Sequence, residues 1–320
     1  FLHRGPPAHS PTSAASLPPI DLPLHAPPHA PKPTANALPE SEDKSSPPLL
    51  DLAANHLVPD GPWARIAPRV ALVVKTGREV AAMRLGMMRR SWLQEAAIPN
   101  LLVVGDTQMP ELGVVGMKEY ERVMFAAAAN QSGIDDATGI PPHVLEGGWK
   151  GDKDKNLPAF HLAAQRFPAA DFYLMVDDDT YVFLDNLGSY LAALPPSSSP
   201  LFGGRNFLVN NCGRYAKSGY TNGKANPLFA HGGSGILLNA AAMARLAPAV
   251  PDCLRSDIHE CWAGDAQVAL CLLDVGVGVN HEARDFLGDP PSVTMRQKFY
   301  RKKWASGRER PVTMHKIGEG

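Results

Sequence analysis

The stretch Phe172-Tyr-Leu-Met-Val-Asp-Asp-Asp-Thr-Tyr-Val182 constrains this chain more than any other. Five apolar or aromatic residues in a row read as a strand buried on both faces, the kind found in the middle of a parallel sheet. Three carboxylates follow at once, where such a strand reaches the carboxyl edge of its sheet. In open α/β sheets that edge is where ligands bind. Side chains alternate along an extended chain, so Asp177 and Asp179 should point one way and Asp178 the other. Three anions this close repel unless a cation or hydrogen-bond donors compensate them. A hard divalent metal is the simplest compensation, because it prefers oxygen ligands. The plain alternative is an exposed acidic turn after a strand. A metal site of this kind suits a substrate that carries a diphosphate.

The rest of the folded part supports an α/β class. Val70-Ala-Leu-Val-Val74 is a short apolar strand ending at Lys75-Thr76-Gly77-Arg78. A helix is expected from about Glu79 to Ala96, ended by Pro99, and a second strand at Leu101-Leu-Val-Val104. A further helix runs near Lys118 to Ala129. Strand, helix, strand repeated this way indicates βαβ units and a parallel sheet. Gly77, just after the first strand, would let a ligand approach the backbone closely. No G-x-G-x-x-G follows it, so the dinucleotide fingerprint is missing.

Composition divides the chain. Residues 1 to about 60 hold 14 of the 31 prolines, among Ala, Ser and His, with no sustained helical or strand period. Such a segment cannot bury enough apolar surface to offset the entropy of ordering. A proline-rich spacer or stem is expected there, and a folded domain over residues 61–320. The formal net charge of -1 gives no electrostatic footprint for nucleic acid or an anionic membrane. No apolar run is long enough to span a bilayer. The sequence opens on Phe1 rather than Met, so it is expected to start inside a longer gene product, with any signal or membrane anchor lying upstream of it.

Several further stretches carry chemistry. Gly147 to Asn156 is a polar, glycine-rich loop leading into a helix with Pro158 in its first turn. Lys153 and Lys155 would sit near that helix start, with Lys155 the candidate phosphate contact and a solvated loop the alternative. Leu184 to Ala193 reads as a helix, and residues 201–230 as long loops near a site. In Phe229-Ala-His-Gly-Gly-Ser-Gly-Ile-Leu-Leu-Asn239, three glycines precede an apolar strand, and Asn239 can cap a helix from Ala240 to Leu246. Ile236 stands where a nucleophile elbow needs its last glycine, so Ser234 is a poor nucleophile candidate. The four cysteines, Cys212, Cys253, Cys261 and Cys271, form no C-x-x-C. An even count fits two disulfides in an oxidising compartment, with three possible connectivities, or four reduced thiols. Asp265 falls at a helix start, where an acid is often only a cap or dipole partner. The basic stretch Arg296 to Arg310 interleaves Phe299, Tyr300 and Trp304, and reads as a solvated or substrate-covering loop. His315 closes a short terminal strand, as a metal ligand or as an ordinary surface histidine.

These blocks together resemble the Fringe-like enzymes of glycosyltransferase family 31, the family that includes core 1 β1,3-galactosyltransferases. The resemblance runs from about Arg69 to Ile317. It rests on Val73-Val-Lys-Thr-Gly77 with Arg90-Ser-Trp92, on Phe172 to Asn186, on Gly232-Gly-Ser-Gly235, on Gly264-Asp265 ahead of Cys271, and on Val312-Thr-Met-His315. It implies a GT-A fold, a Rossmann-like and mostly parallel sheet flanked by helices. It also implies a UDP-sugar donor, Mn²⁺, and inversion at the anomeric carbon. By motif position Asp179 and His315 would bind the metal, and Asp177 and Asp178 the ribose and sugar of the donor. Thr76, Gly77 and Lys155 would line the nucleotide, Gly232 and Gly233 the sugar, and Asp265 would be the catalytic base. The acceptor would be a hydroxyl of a glycan or glycoprotein. Family members are Golgi type II membrane proteins with a stem, which fits the proline-rich start and leaves only an upstream anchor in the membrane. Two features depart from the pattern. Gly264 stands where many relatives have a second acid, and the segment between Asp265 and His315 matches poorly. Outside this family, Asp177-x-Asp179 is half of the pattern of a metal-dependent phosphohydrolase, with Tyr181 against it. A sugar-binding pseudoenzyme without turnover is the other alternative. An EF-hand fails, because Tyr181 and Gly188 fall where that loop needs oxygen ligands.

Overall fold

A computed structural model describes residues 60–94, 97–132, 153–194, 198–287 and 311–316. The expected stem lies outside these residues, apart from Asp60. So do the Arg296–Arg310 stretch and the first part of the glycine-rich loop.

Seven strands form the central sheet. In chain order they are β1 (Val70–Lys75), β2 (Leu101–Gly105), β3 (Val114–Gly116), β4 (Phe172–Asp177), β6 (Phe202–Gly204), β11 (Ile236–Asn239) and β12 (His281–Glu282). Their spatial order is β12-β6-β11-β4-β1-β2-β3. From β4 through β3 all neighbours are parallel. β11 runs antiparallel to both β4 and β6. The acidic strand therefore lies in the middle of the sheet as its apolar run requires, but only one of its neighbours is parallel to it.

The alternation along these strands builds two cores. Ala71, Val73, Leu102, Tyr173 and Met175 face one layer. Val70, Leu72, Val74, Leu174, Val176 and Leu237 face the other. The first layer is covered by α3 (Met117–Ser132), α4 (Asn156–Arg166), α6 (Ala240–Arg255) and α7 (Gly264–Asp274). α1 (Pro62–Ile66), α2 (Ala81–Arg90) and α5 (Leu184–Ala193) cover the second. α1 packs tightly on α5, since a Cβ on Gly188 would lie 2.5 Å from the backbone of Trp63.

Two helix ends differ from the sequence reading. α2 stops at Arg90 instead of continuing to Ala96. There Ser91 Oγ donates to the Met87 and Met88 carbonyls, and Trp92 and Leu93 turn inward to full burial. α6 runs on past Leu246 to Arg255 despite Pro248 and Pro251. Its buried face, Met243, Leu246, Val250, Cys253 and Leu254, continues at helical spacing through both prolines. The Asn239 cap is as expected, its side chain accepting from Ala242 N at 2.9 Å.

Residues 201–230 are more ordered than long loops. β7 (Asn206–Leu208) pairs with β10 (Leu228–Ala230) as an antiparallel ribbon. β8 (Tyr220–Thr221) and β9 (Lys224–Ala225) form a hairpin. Its turn residues, Asn222 and Gly223, both have positive φ, 52° and 75°, and Asn-Gly suits that geometry. A small third sheet, β13 (Phe286–Leu287), β14 (Thr313–Met314) and β5 (Tyr181–Val182), carries the C-terminal strand back to the acidic turn. Two disulfides are present, Cys212–Cys261 and Cys253–Cys271. Among the described residues no helix is long and apolar enough to cross a membrane.

Candidate functional site

β1 and β4 lie side by side, and chain leaves β1 toward β2 on one side and returns to β4 on the other. This is a switch point, where a crevice opens at the carboxyl ends of the strands. Lys75 and Asp177, the last residues of the two strands, are register partners. Their side chains share a face, and buried Lys75 Nζ lies 2.9 Å from Asp177 Oδ1.

The acidic turn divides its carboxylates as the alternation predicts. Asp178 turns inward, accepting from Thr76 Oγ1 at 2.5 Å and from Arg84 Nη1 at 2.7 Å. Burial pushes its carboxyl above the ordinary value, an effect opposed by those two donors. Asp177 and Asp179 point the other way, toward His315 on the strand returning from the C-terminus. His315 Nε2 lies 3.2 Å from Asp179 Oδ1 and 3.9 Å from Asp177 Oδ2. Burial pushes the Asp179 carboxyl up, but the hydrogen bond and charge of His315, with Arg84 at 3.4 Å, outweigh it and hold it below its usual range.

Asp177, Asp179 and His315 offer two carboxylate oxygens and one imidazole nitrogen within 4.8 Å of one another. The Oδ1 atoms of both aspartates are shut off from solvent, with Lys75 beside one and His315 beside the other. Inward-facing oxygens of this kind, joined by one nitrogen, fit a hard divalent cation. Asp177, expected to contact the donor, belongs geometrically to this cluster as well.

The glycine block closes the other wall. Gly232 to Ser234 form one 3-10 turn ahead of β11. Thr180 Oγ1 donates to Gly233 O at 2.7 Å, and Thr313 Oγ1 donates to Ser234 O, so the turn is tied to the acidic turn and to β14. Gly232 N donates to Asp265 Oδ2 at 2.9 Å. The point where a Cβ on Gly232 would sit is 3.5 Å from both Asp265 Oδ2 and Lys75 Nζ. Asp265 is thereby brought to the edge of the acidic cluster from 33 residues along the chain.

Asp265 is not the cap of α7. Ala263 holds the cap position without a side-chain bond, and Asp265 lies in the first turn, its Oδ1 accepting from Ala266 N at 2.8 Å. The structure also explains Gly264. A Cβ there would lie 2.8 Å from Lys153 Cα and 2.9 Å from Asn156 Cγ, so a second acid would not fit.

Lys155 is buried, and its Nζ donates to Thr76 O at 2.9 Å. It braces the turn after β1. Gly77 lies in that turn, its carbonyl accepting from Val80 and Ala81 N at the entrance to α2. A cavity of about 520 Å³ opens beside it, lined by Arg78, Thr107, Gln108 and Glu119 among others. A second cavity of similar size, lined by Arg65, Asp171, Leu194 and Asn239 among others, lies at the opposite edge of the sheet, away from the cluster. The sequence reading missed Lys75, Arg84, Thr180 and His231. For Lys75 a signal existed: it ends a buried strand, where a lysine needs an anionic partner.

Residues 151–282 match the family model described as Fringe-like. The matched region contains the acidic strand, the glycine turn and Asp265. What these residues build is thus a Fringe-like domain, of glycosyltransferase family 31.

Proposed function

We propose that this chain is an inverting, metal-dependent transferase that moves a hexose, galactose or N-acetylglucosamine, from a UDP-sugar to a hydroxyl of a glycan or glycoprotein through a β1,3 linkage. The observation that carries the reading is the approach of Asp265 to the Asp177/Asp179/His315 cluster within a Fringe-like domain. Asp177, Asp179 and His315 would hold Mn²⁺, which when bound supplies Lewis-acid neutralisation of the leaving diphosphate.

The protein's own groups carry the remaining chemistry. Asp178, held by Thr76 and Arg84, fixes the turn and contacts the donor. Thr76, Gly77 and Lys155 line the nucleotide, whose uridine takes the cavity beside Arg78. Gly232 and Gly233 present backbone to the sugar, while the space their side chains would fill is held by Asp265, Lys75 and His315. The acceptor hydroxyl has a high pKa, so a carboxylate must take its proton as the new bond forms. Asp265 takes that proton. The acceptor oxygen attacks the anomeric carbon, the bond from that carbon to the diphosphate oxygen breaks, and UDP leaves with the electron pair. Attack from the face opposite UDP inverts the anomeric configuration without a covalent intermediate.

Two disulfides and the family fit a lumenal domain of the secretory pathway. Golgi residence, with an anchor upstream of residue 1, is part of the proposal. The experiment is UDP release from UDP-galactose and UDP-N-acetylglucosamine, with and without Mn²⁺ and a panel of glycan acceptors. Release that requires both metal and acceptor supports transfer. Binding without release supports the pseudoenzyme, and phosphate release from monoesters supports a phosphohydrolase.

A further inference from the structure

The apolar ribbon beside the cluster has no part in the chemistry above. In β7 and β10, Phe207 stands opposite Phe229, and Leu208 opposite Leu228. Alternation places Phe207, Phe229 and His231 on one face. Phe229 is buried in the core, but Phe207 is 46% exposed although its ring centroid lies 6.0 Å from that of Phe229. On its other side the Phe207 ring is 5.5 Å from His231, whose ring is 5.4 Å from His315. A row of rings thus leads from the metal-ligand cluster out to solvent. Trp262, three residues before Asp265, is 44% exposed and fixed in place: its Nε1 donates to Asn210 O at 3.1 Å. The Cys212–Cys261 disulfide holds the same two segments together.

Neither half-exposed ring is needed to fill the core, and the two lie on segments joined beside the polar cluster, where exposed apolar surface marks an interaction site. Resting on the transferase reading, we infer that Phe207 and Trp262 form the platform for a pyranose ring of the acceptor. Flat, uncharged aromatic faces suit the C–H face of a sugar and not a phosphate. The platform begins two ring contacts from His315, so a sugar seated on it lies about one residue from the reacting hydroxyl. His231, which joins the row to the cluster, precedes Gly232, the hydrogen-bond partner of Asp265. A second copy of this chain is the other occupant such a ribbon would take.

The test is saturation-transfer NMR on the purified chain saturated with UDP and Mn²⁺, using a panel of methyl hexosides and methyl N-acetylhexosaminides. Wild type should transfer saturation to the ring protons of at least one glycoside. Phe207→Ala and Trp262→Ala should each weaken that glycoside's binding by about tenfold, and Phe207→Tyr should restore it. Calorimetric UDP affinity and circular dichroism check that each variant is folded and loaded. If wild type fails to bind UDP, the transferase reading itself falls. If wild type binds UDP but no glycoside, or if Phe207→Ala binds glycoside as wild type does, the platform is overturned. A dimer by light scattering that Phe207→Ala converts to monomer, with glycoside binding unchanged, would assign the ribbon to self-association instead.

Discussion

Gly233 and His315 occupy nearly the same space: a Cβ on Gly233 would lie 2.4 Å from His315 Nε2 and 2.5 Å from Cε1. The absence of a side chain at Gly233 is what lets the imidazole reach Asp179. An alanine there would push the ring off the line to both aspartates. Gly233→Ala should therefore weaken Mn²⁺-dependent UDP binding by about 10–100-fold, the range seen when a group that orients a metal ligand is lost. Calorimetric titration of UDP with and without Mn²⁺ measures it. Unchanged affinity would show that His315 does not ligate the metal.

Asp179→Asn and Asp265→Asn should separate metal from base. The first removes a ligand charge, so UDP binding and transfer should fall together. The second keeps an oxygen that can accept from Gly232 N, and it disturbs no helix cap, because Asp265 is not one. Transfer should drop by roughly two to four orders of magnitude while Mn²⁺-dependent UDP affinity stays near wild type. Near-normal turnover in Asp265→Asn would place the base elsewhere.

His161 should make the fold acid-sensitive. It is buried on α4, its Nδ1 2.7 Å from Tyr120 Oη, and burial lowers its pKa from 6.5 to about 4. The unfolded chain takes up a proton near pH 6.5 and the folded chain only near pH 4. Stability is therefore full above pH 6.5 and lost as pH falls from there toward 4, by about 3 kcal/mol. Urea unfolding at pH 7 and pH 4.5 reads the loss, and His161→Gln should shrink the difference. A wild-type difference equal to that of the variant would refute the assignment.

Glu121 should act with the opposite sign. Burial, with the charge of Asp154 adding to it, raises its pKa from 4.5 to about 7. Its protonated form suits the fold, so stability is full below pH 4.5 and declines as pH rises toward 7. Glu121→Gln should flatten thermal stability between pH 5 and 7.5, read by calorimetry. A variant as pH-dependent as wild type across that window would exclude Glu121.

The two disulfides should differ in worth. Cys212–Cys261 closes a span of 49 residues and Cys253–Cys271 one of 18. Loop entropy alone assigns them about 4 and about 3 kcal/mol. Cys212→Ser with Cys261→Ser should also lower transfer, since that bridge joins the ribbon to the segment carrying Asp265. Urea midpoints and turnover of the paired variants check both statements, and an intact turnover after loss of Cys212–Cys261 would limit the bridge to stability.

The sequence by itself determined the acidic strand, its place inside an α/β sheet, and the split between Asp178 and its two neighbours. Those features follow from a local apolar run and a period of two, which need no distant partner. The Asn239 cap and the span of α5 were equally local. The ends of α2 and α6 were not, because burial of Trp92 and Leu93 cut one helix short and a continuing buried face carried the other through two prolines. Only the tertiary structure decided that Lys75 sits on Asp177, that Arg84 holds Asp178, and that Asp265 bonds Gly232 rather than capping its helix. Each of these pairs joins residues 33 to 102 positions apart, and no local propensity encodes which of them a folded sheet edge brings within hydrogen-bonding distance.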